Sequence, residues 1–149
     1  MLPLLEKVFE LRKAKLPPND PQLAATMAVL VVSYLEAGDY GQAEPKARDC
    51  LAIREKAMPG HWLTENARSM LGGALLGQKK YAEAEPLLVA AYEGMAKLEA
   101  TIPAGRKNRV SEALDRLVKL YEERAADGDA DRAAEAAALR AERGRPAGQ

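Results

Sequence analysis

The chain has 149 residues, of which 48% are hydrophobic and 30% are charged, and its 22 basic and 22 acidic residues give a formal net charge of zero. This length is enough for one domain with its own core. The absence of a basic surplus counts against a nucleic-acid-binding protein. Aromatic residues make up only 5% of the chain, and Ala, Leu, Glu, Lys and Arg dominate, so we expect an all-α protein.

Cysteine usage and hydropathy predict a cytoplasmic location for the chain. Cys50 is the single cysteine, so no internal disulfide can form, which favours a reducing compartment. The longest apolar stretch, residues 28–32, is far shorter than the roughly 20 residues that cross a bilayer. Residues 1–12 interleave charged with apolar residues and lack a small-residue cleavage site, so they predict a helix and not a signal peptide. We expect no membrane partner.

Apolar spacing and the breaks rich in proline and glycine predict the elements in chain order. Seven helices are expected, at residues 2–16, 22–37, 40–58, 61–78, 81–100, 107–125 and 131–142. Asp20 is the expected N-cap of the second helix, with Pro21 at its first position. Turns within a pair are short, near residues 38 and 79, whereas turns between pairs are longer and carry proline. Short connections join antiparallel neighbours, so the chain predicts three helical hairpins preceded by one lone helix.

One segment of the sequence occurs twice, 41 residues apart. Tyr40-Gly41-Gln42-Ala43-Glu44-Pro45 returns as Tyr81-Ala82-Glu83-Ala84-Glu85-Pro86. A repeat of this period indicates stacked units, each of which buries its apolar face only against a neighbour. Ala43 and Ala84 are expected where two helices cross closely, and tyrosines such as Tyr34 are expected to fill the space between helices.

These units define the expected domain organisation. Residues 1–143 form a single domain, in which residues 2–16 are the second helix of an incomplete repeat. The repeats that follow cover residues 22–58, 61–101 and, in degenerate form, 107–142. Residues 144–149 are expected to be a disordered tail. Because the first repeat lacks its first helix, we expect the chain either to be the C-terminal part of a longer array or to cap its first repeat in an unusual way.

The pattern of small and large residues resembles the tetratricopeptide repeat, at Leu30, Tyr34, Gly38, Tyr40 and Ala43 and again at Leu71, Leu75, Tyr81, Ala84 and Ala91. The 41-residue period and the segment Ala52-Ile53-Arg54-Glu55-Lys56 resemble the kinesin-light-chain-like variety. The sequence of these repeats also resembles the repeat tails of bacterial serine/threonine protein kinases, although no kinase motif is present. The resemblance implies about seven helices in a right-handed superhelix that binds proteins or peptides.

The resemblance also implies where a partner binds, because the first helix of each hairpin lines the concave face in this family. The expected partner-binding residues are Ala28, Val32, Leu35, Asn66, Ser69, Lys119 and Glu122. Ala28 and Val32 stand where the family's carboxylate-clamp subset has Lys and Asn, so that activity is not expected. The groove is apolar at its N-terminal end and acidic at its C-terminal end. We expect this apolar strip to be covered by a preceding repeat, by a peptide or by self-association.

Candidate chemical groups do not converge on a reaction. His61 is the only histidine and is expected at a loop–helix boundary, while Cys50 falls at a buried, inert site. Residues 72–79 miss the phosphate-loop pattern, and residues 127–138 lack the Gly and Glu of a calcium loop. Trp62 is interpreted as a packing residue between repeats, with a partner anchor as the alternative. We expect no metal, no cofactor and no enzymatic activity.

The sequence therefore predicts a protein–protein interaction scaffold that binds a peptide or partner domain through its concave groove, as a fragment or tail of a larger protein. The alternative is a structural spacer, or the regulatory tail of a bacterial serine/threonine protein kinase, with no ligand of its own.

Overall fold

The computed structural model of the protein describes residues 1–143, and within them the chain is an all-α solenoid of stacked helical hairpins. Its helices are α1 (Leu2–Lys15), α2 (Pro21–Glu36), α3 (Tyr40–Ala57), α4 (Trp62–Gly77), α5 (Tyr81–Lys97), α6 (Asn108–Ala126) and α7 (Asp131–Arg143). The predicted fold class and the number of helices are confirmed for this part of the chain. The right-handed sense of the superhelix stays a prediction, and the predicted tail lies outside the described residues.

Local side-chain chemistry sets the beginnings of the helices. The Asp20 carboxylate accepts a hydrogen bond from the Gln22 amide at 2.8 Å, as the sequence predicts, and Pro21 occupies the first position of α2. Asp39 caps α3 in the same way. The His61 Nδ1 accepts from the Leu63 amide at 3.1 Å, so the only histidine caps α4. Each cap satisfies a backbone N–H that has no partner inside the helix.

The region between α5 and α6 differs from the prediction. The fifth helix ends at Lys97 and not at residue 100, and two short 3₁₀ turns, Glu99–Thr101 and Ala104–Arg106, follow it. Ile102, between these turns, is buried. The connection is therefore an ordered, packed segment that fixes where α6 begins.

Small residues allow the helices to approach closely. Ala43 and Ala84 are both fully buried at equivalent positions of α3 and α5, as predicted. A Cβ added to Gly72 would lie 2.6 Å from the Leu88 side chain, and one added to Gly77 would overlap the Tyr40 ring. Only a residue without a side chain fits at such contacts. These contacts tie α4 to α5 and to the start of α3.

The core is divided into two clusters. The larger cluster runs from Phe9 of α1 to Ala136 of α7. The smaller one joins Trp62, Met95, Ile102 and Ala113, where α4, α5, the connection and α6 meet. Trp62 is 6% exposed, so its interpretation as a packing residue agrees with the structure, and an anchor for a partner does not.

The glutamate of the repeated motif forms a polar link between neighbouring hairpins. Glu44 of α3 accepts from Gln78 at 2.7 Å and from Lys80 at 3.1 Å, both in the turn between α4 and α5. Its equivalent, Glu85 of α5, pairs with Arg124 of α6 and Arg132 of α7. Each motif glutamate thus connects its own hairpin to the next.

Candidate functional site

The candidate site is a groove between α2, α4 and the beginning of α6, with a volume of about 490 Å³. We call it the α2–α4 groove. Its lining residues come from the first helices of two hairpins, from the end of α3 and from the segment that opens α6: Ala25, Ala28, Val29, Val32, Ser33, Arg54, Leu63, Asn66, Met70, Arg106 and Arg109. The surface is therefore apolar on the α2 side and basic on the α6 side.

The apolar part of the groove is accessible to a ligand. Ala28 and Val32 are partly buried, and Val29 is 50% exposed, which makes it one of the most exposed large hydrophobic residues in the described chain. The three side chains follow helical spacing along α2, so they form one continuous face. An exposed apolar face of this kind is typical of an interaction surface.

Arg54 is the most unusual group in the groove. Its side chain lines the groove, yet the residue is only 4% exposed. Its Nη1 donates to the Leu63 carbonyl oxygen at 3.0 Å, and no carboxylate of the described residues forms an ion pair with it. Burial lowers the pKa of Arg54 but leaves the group charged, because arginine stays protonated in proteins. A buried charge without a counter-charge is costly and attracts an anion.

Two further arginines lie near the same end of the groove and differ in their partners. Arg109 Nη1 pairs with the Glu112 carboxylate at 2.8 Å, so its charge is partly neutralised. Arg106 is exposed and makes no ion pair within the described residues. With Arg54 they give the groove a positive potential that Glu112 offsets only in part.

Beyond the groove, Arg116 of α6 bridges to α4. Its Nη1 donates to the Ser69 hydroxyl at 2.9 Å. A Cβ on Gly73 would lie 3.1 Å from the Arg116 Nε, so the absence of a side chain at this position lets the guanidinium cross between the helices. Burial lowers the pKa of Arg116. This contact holds α6 against α4 and so positions Arg106 and Arg109, which we call the basic wall of the groove.

The structure brings together only some of the predicted partner-binding residues. Ala28, Val32 and Asn66 line the groove. Leu35 lies further along α2, near Gly73. Ser69 is fully buried beneath Arg116, so its hydroxyl faces α6 and not solvent.

The two predicted residues of the third unit lie apart from the groove. Glu122 accepts from the Arg140 Nε of α7 at 2.6 Å, so it faces the partner helix of its own hairpin. Lys119 is exposed on α6 and is not among the lining residues. The part of α6 that lines this groove carries Arg109, preceded by Arg106, and none of the predicted acidic residues. That any of the seven residues contacts a partner stays a prediction.

Sequence reasoning missed the arginines. One signal could have found Arg54: it follows Ala47, Cys50 and Leu51 at helical spacing, which puts a charged residue on the buried face of α3. No comparable signal exists for Arg106 and Arg109, because their position depends on how the 3₁₀ turns direct the chain between α5 and α6.

The chemistry available in the groove is that of binding. Its lining contains no His, Cys, Asp or Glu, so it offers no acid–base pair, and the Ser33 hydroxyl has no such base among the lining residues to activate it. Across the described residues, no three His, Cys, Asp or Glu side chains are grouped so that they could hold a metal ion. None of the described helices is both long and apolar enough to traverse a bilayer.

The fold and this site define the class of protein: an all-α helical-repeat solenoid with a groove lined mainly by the first helices of its hairpins. The tetratricopeptide repeat family model matches residues 23–62, which span α2, α3 and the beginning of α4. The match supports the resemblance over one repeat. Tetratricopeptide repeats generally mediate protein–protein interaction and are not catalytic. No curated protein matches the chain.

Proposed function

We propose that the protein is an interaction scaffold that binds a peptide, or an extended segment of a partner protein, in the α2–α4 groove. The observation that carries the proposal is Arg54, a guanidinium that is 4% exposed, lines the groove and lacks a carboxylate partner among the described residues. A ligand carboxylate placed beside it would supply the missing counter-charge through a charge-assisted hydrogen bond.

The rest of the groove supports a ligand that also carries apolar side chains. Ala28, Val29 and Val32 form a surface next to the arginines, on which aliphatic or aromatic side chains would be removed from water at about 25 cal/mol per Å². Arg106 and Arg109 would attract acidic residues on either side of the anchoring carboxylate. The ligand class is therefore a segment in which acidic and apolar residues alternate or adjoin.

The binding step requires no chemistry by the protein. Around the groove, α4 is packed against α3 at Gly77 and against α6 by the Arg116–Ser69 contact. A surface held in this way loses little conformational entropy when a ligand binds. The residues Ala28, Val32 and Asn66 would contact the ligand directly in this arrangement, whereas Ser69 would act only by holding Arg116.

The test is selection of peptides from a random display library on the immobilised chain, followed by affinity measurement on an Arg54→Met variant. We expect the selected peptides to combine acidic with apolar residues and to bind the variant at least about tenfold more weakly, the effect of losing about 1.4 kcal/mol. Replacing the acidic residue of a selected peptide by its amide should cost as much on the wild-type chain and nothing on the variant.

Two results would contradict the proposal: no enriched peptide, or enriched peptides whose affinity is unchanged by Arg54→Met. The first would favour the alternative function, a spacer or regulatory tail without a ligand. Glu122→Gln is the matched control, since Glu122 pairs with Arg140 on the other side of α6; it should leave the affinity unchanged.

The cellular setting belongs to the same proposal. A free and buried thiol at Cys50 supports a reducing compartment such as the cytoplasm. The kinesin-light-chain-like period and the likeness to bacterial kinase tails support a role as part of a larger bacterial protein, in which the groove would recruit a partner.

A further inference from the structure

Helix α1 carries an apolar face that no other described helix covers. Leu4 is 62% exposed and Leu11 is 55% exposed, and with Met1 they account for three of the four most exposed large hydrophobic residues of the described chain. Leu4, Val8 and Leu11 follow one another at spacings of four and three residues, so they lie on one side of the helix. We call this face the α1 stripe. The other side of α1 packs on α2 through Phe9.

The corresponding positions of α3 and α5 indicate that this face of α1 can pack against a helix. With Pro3 aligned to the prolines at 45 and 86, Val8 corresponds to Cys50, whose Sγ donates to a backbone carbonyl of α2 at 3.4 Å. Leu11 corresponds to Gly94, and a Cβ at that position would lie 2.8 Å from the Glu65 side chain of α4. At these two positions the equivalent face of α3 and of α5 therefore lies against the first helix of the same hairpin.

Basic residues border the α1 stripe. Lys7 and Lys15 are exposed and make no ion pair within the described residues. Arg12 donates to the Thr26 hydroxyl at 2.7 Å and has no carboxylate partner either. An occupant of this face should therefore combine an apolar surface with acidic edges.

The chain itself presents such a surface near its other end. A second groove, the α5–α7 groove, lies between α5 and α7 over α6 and has a volume of about 390 Å³. Its floor is apolar and its rim is acidic: Val89, Tyr92, Leu117, Tyr121, Ala138 and Leu139 with Glu93, Glu135 and Glu142. A shallow depression along α5, lined from Ala82 to Glu93, continues it.

The charges and the lengths of the two surfaces match. Glu93 is exposed and unpaired within the described residues, and among the same residues the one partner of Glu142 is the Tyr92 hydroxyl, which donates at 2.7 Å. Two carboxylates are thus available for the lysines of the α1 stripe. From Ala82 to Glu93 the α5 surface is roughly 16 Å long, and from Leu4 to Lys15 the α1 stripe has about the same length at 1.5 Å per residue.

We propose that the protein associates with itself head to tail, with the α1 stripe of one copy docked in the α5–α7 groove of the next. The contact joins two different surfaces, so each copy in a pair keeps one free stripe and one free groove. Such heterologous contacts extend into chains unless the rotation between copies closes a ring. This association uses surfaces distinct from the α2–α4 groove and does not depend on peptide binding there.

Sedimentation velocity over a range of concentrations tests the proposal. The wild-type chain should form dimers and longer species as its concentration rises. Leu11→Glu, which disables the stripe, and Val89→Lys, which disables the groove, should each sediment as monomers. An equimolar mixture of the two should form one heterodimer and nothing larger, because one intact stripe meets one intact groove. In a symmetric α1–α1 dimer, Val89→Lys alone would still dimerise, and that result would overturn the proposal.

Two further variants distinguish a loss of association from a loss of folding. Glu93→Lys changes an exposed side chain, so it should retain the helical circular dichroism of the wild type and weaken association at least about tenfold. Val29→Glu is the matched control for Leu11→Glu, because Val29 is exposed to a similar extent but lies in the α2–α4 groove. It should leave association unchanged. A wild-type chain that stays monomeric at millimolar concentration, or association that Val29→Glu weakens and Glu93→Lys does not, would overturn the proposal.

Discussion

Gly77, the last residue of α4, occupies a position where even one methyl group does not fit. A Cβ there would overlap the Tyr40 ring at the start of α3. We predict that Gly77→Ala destabilises the protein by about 1–3 kcal/mol, because the ring must move and the joint between the first two hairpins must open. Urea unfolding followed by circular dichroism measures the change; an unaltered midpoint would show that the ring relocates freely.

Gly41 gives the matched control for the same substitution. It lies in the first turn of α3, and a Cβ there would meet nothing within 4 Å. Gly41→Ala should therefore raise the free energy of unfolding by about 0.5–1 kcal/mol through the higher helix propensity of alanine. A loss of stability in both variants would mean that the effect at residue 77 is not steric.

Single residues could be predicted from the sequence where the local pattern decides their environment. The burial of Ala43 and Ala84 follows from the repeat, and the Asp20 cap follows from its place before a proline and an apolar run. The role of Arg54 could not be predicted from local sequence alone. Its helical spacing indicates a buried position, but the carbonyl oxygen to which it donates belongs to Leu63 of the next helix.

The stability that the Glu44 link gives to neighbouring hairpins depends on pH. Hydrogen bonds from Arg48, then from Gln78 and Lys80, lower the pKa of the Glu44 carboxyl to about 2. In the unfolded chain a glutamate titrates near pH 4.3. The link therefore stabilises the folded state fully above about pH 5, and its contribution is lost as the pH falls towards 2.

The Glu44→Gln variant tests this link. We predict that the free energy of unfolding falls by about 1 kcal/mol at neutral pH, because the charged acceptor of these hydrogen bonds is lost. The effect is no larger because Arg48 and Lys80 are about half exposed, so water screens their interaction with Glu44. The difference in unfolding free energy from the wild type should shrink between pH 5 and pH 2. Asp49→Asn, on an exposed side chain of the same helix, should change neither quantity. A difference that is independent of pH would assign the loss to packing.

Helices could be predicted more securely than the segments that join them. The limits of the described helices follow caps and breaks that stand in the sequence, such as His61 for α4 and the Gly38 turn, which has a φ of 73°. The connection between α5 and α6 depends instead on Ile102 entering the smaller core cluster. Because the basic wall of the α2–α4 groove begins at this connection, the electrostatics of the site could not be predicted either.

Across the described chain, packing is densest at the middle and weakest at the two ends. Helix α4 is packed against both α3 and α5 and also touches α2 and α6, whereas α1 packs chiefly on α2 and α7 on α6. Local opening requires least free energy where fewest contacts are lost. We predict that amide hydrogens of α4 exchange slowest and that those of α1 and α7 exchange at least about tenfold faster.

Native-state hydrogen exchange with mass spectrometry, at a concentration where the chain is monomeric, measures this gradient. Uniform protection across all seven helices would indicate a single cooperative unit, in contrast to the nearest-neighbour behaviour of repeat proteins.

The smaller core cluster contains the only indole of the protein, Trp62, packed with Met95 and Ala113 where two hairpins meet. Leu63, the next residue, lines the α2–α4 groove and accepts the hydrogen bond of Arg54. The fluorescence of this single chromophore thus arises one residue away from the proposed docking site. Its emission maximum and quenching give an optical readout of that joint in the unlabelled wild-type protein.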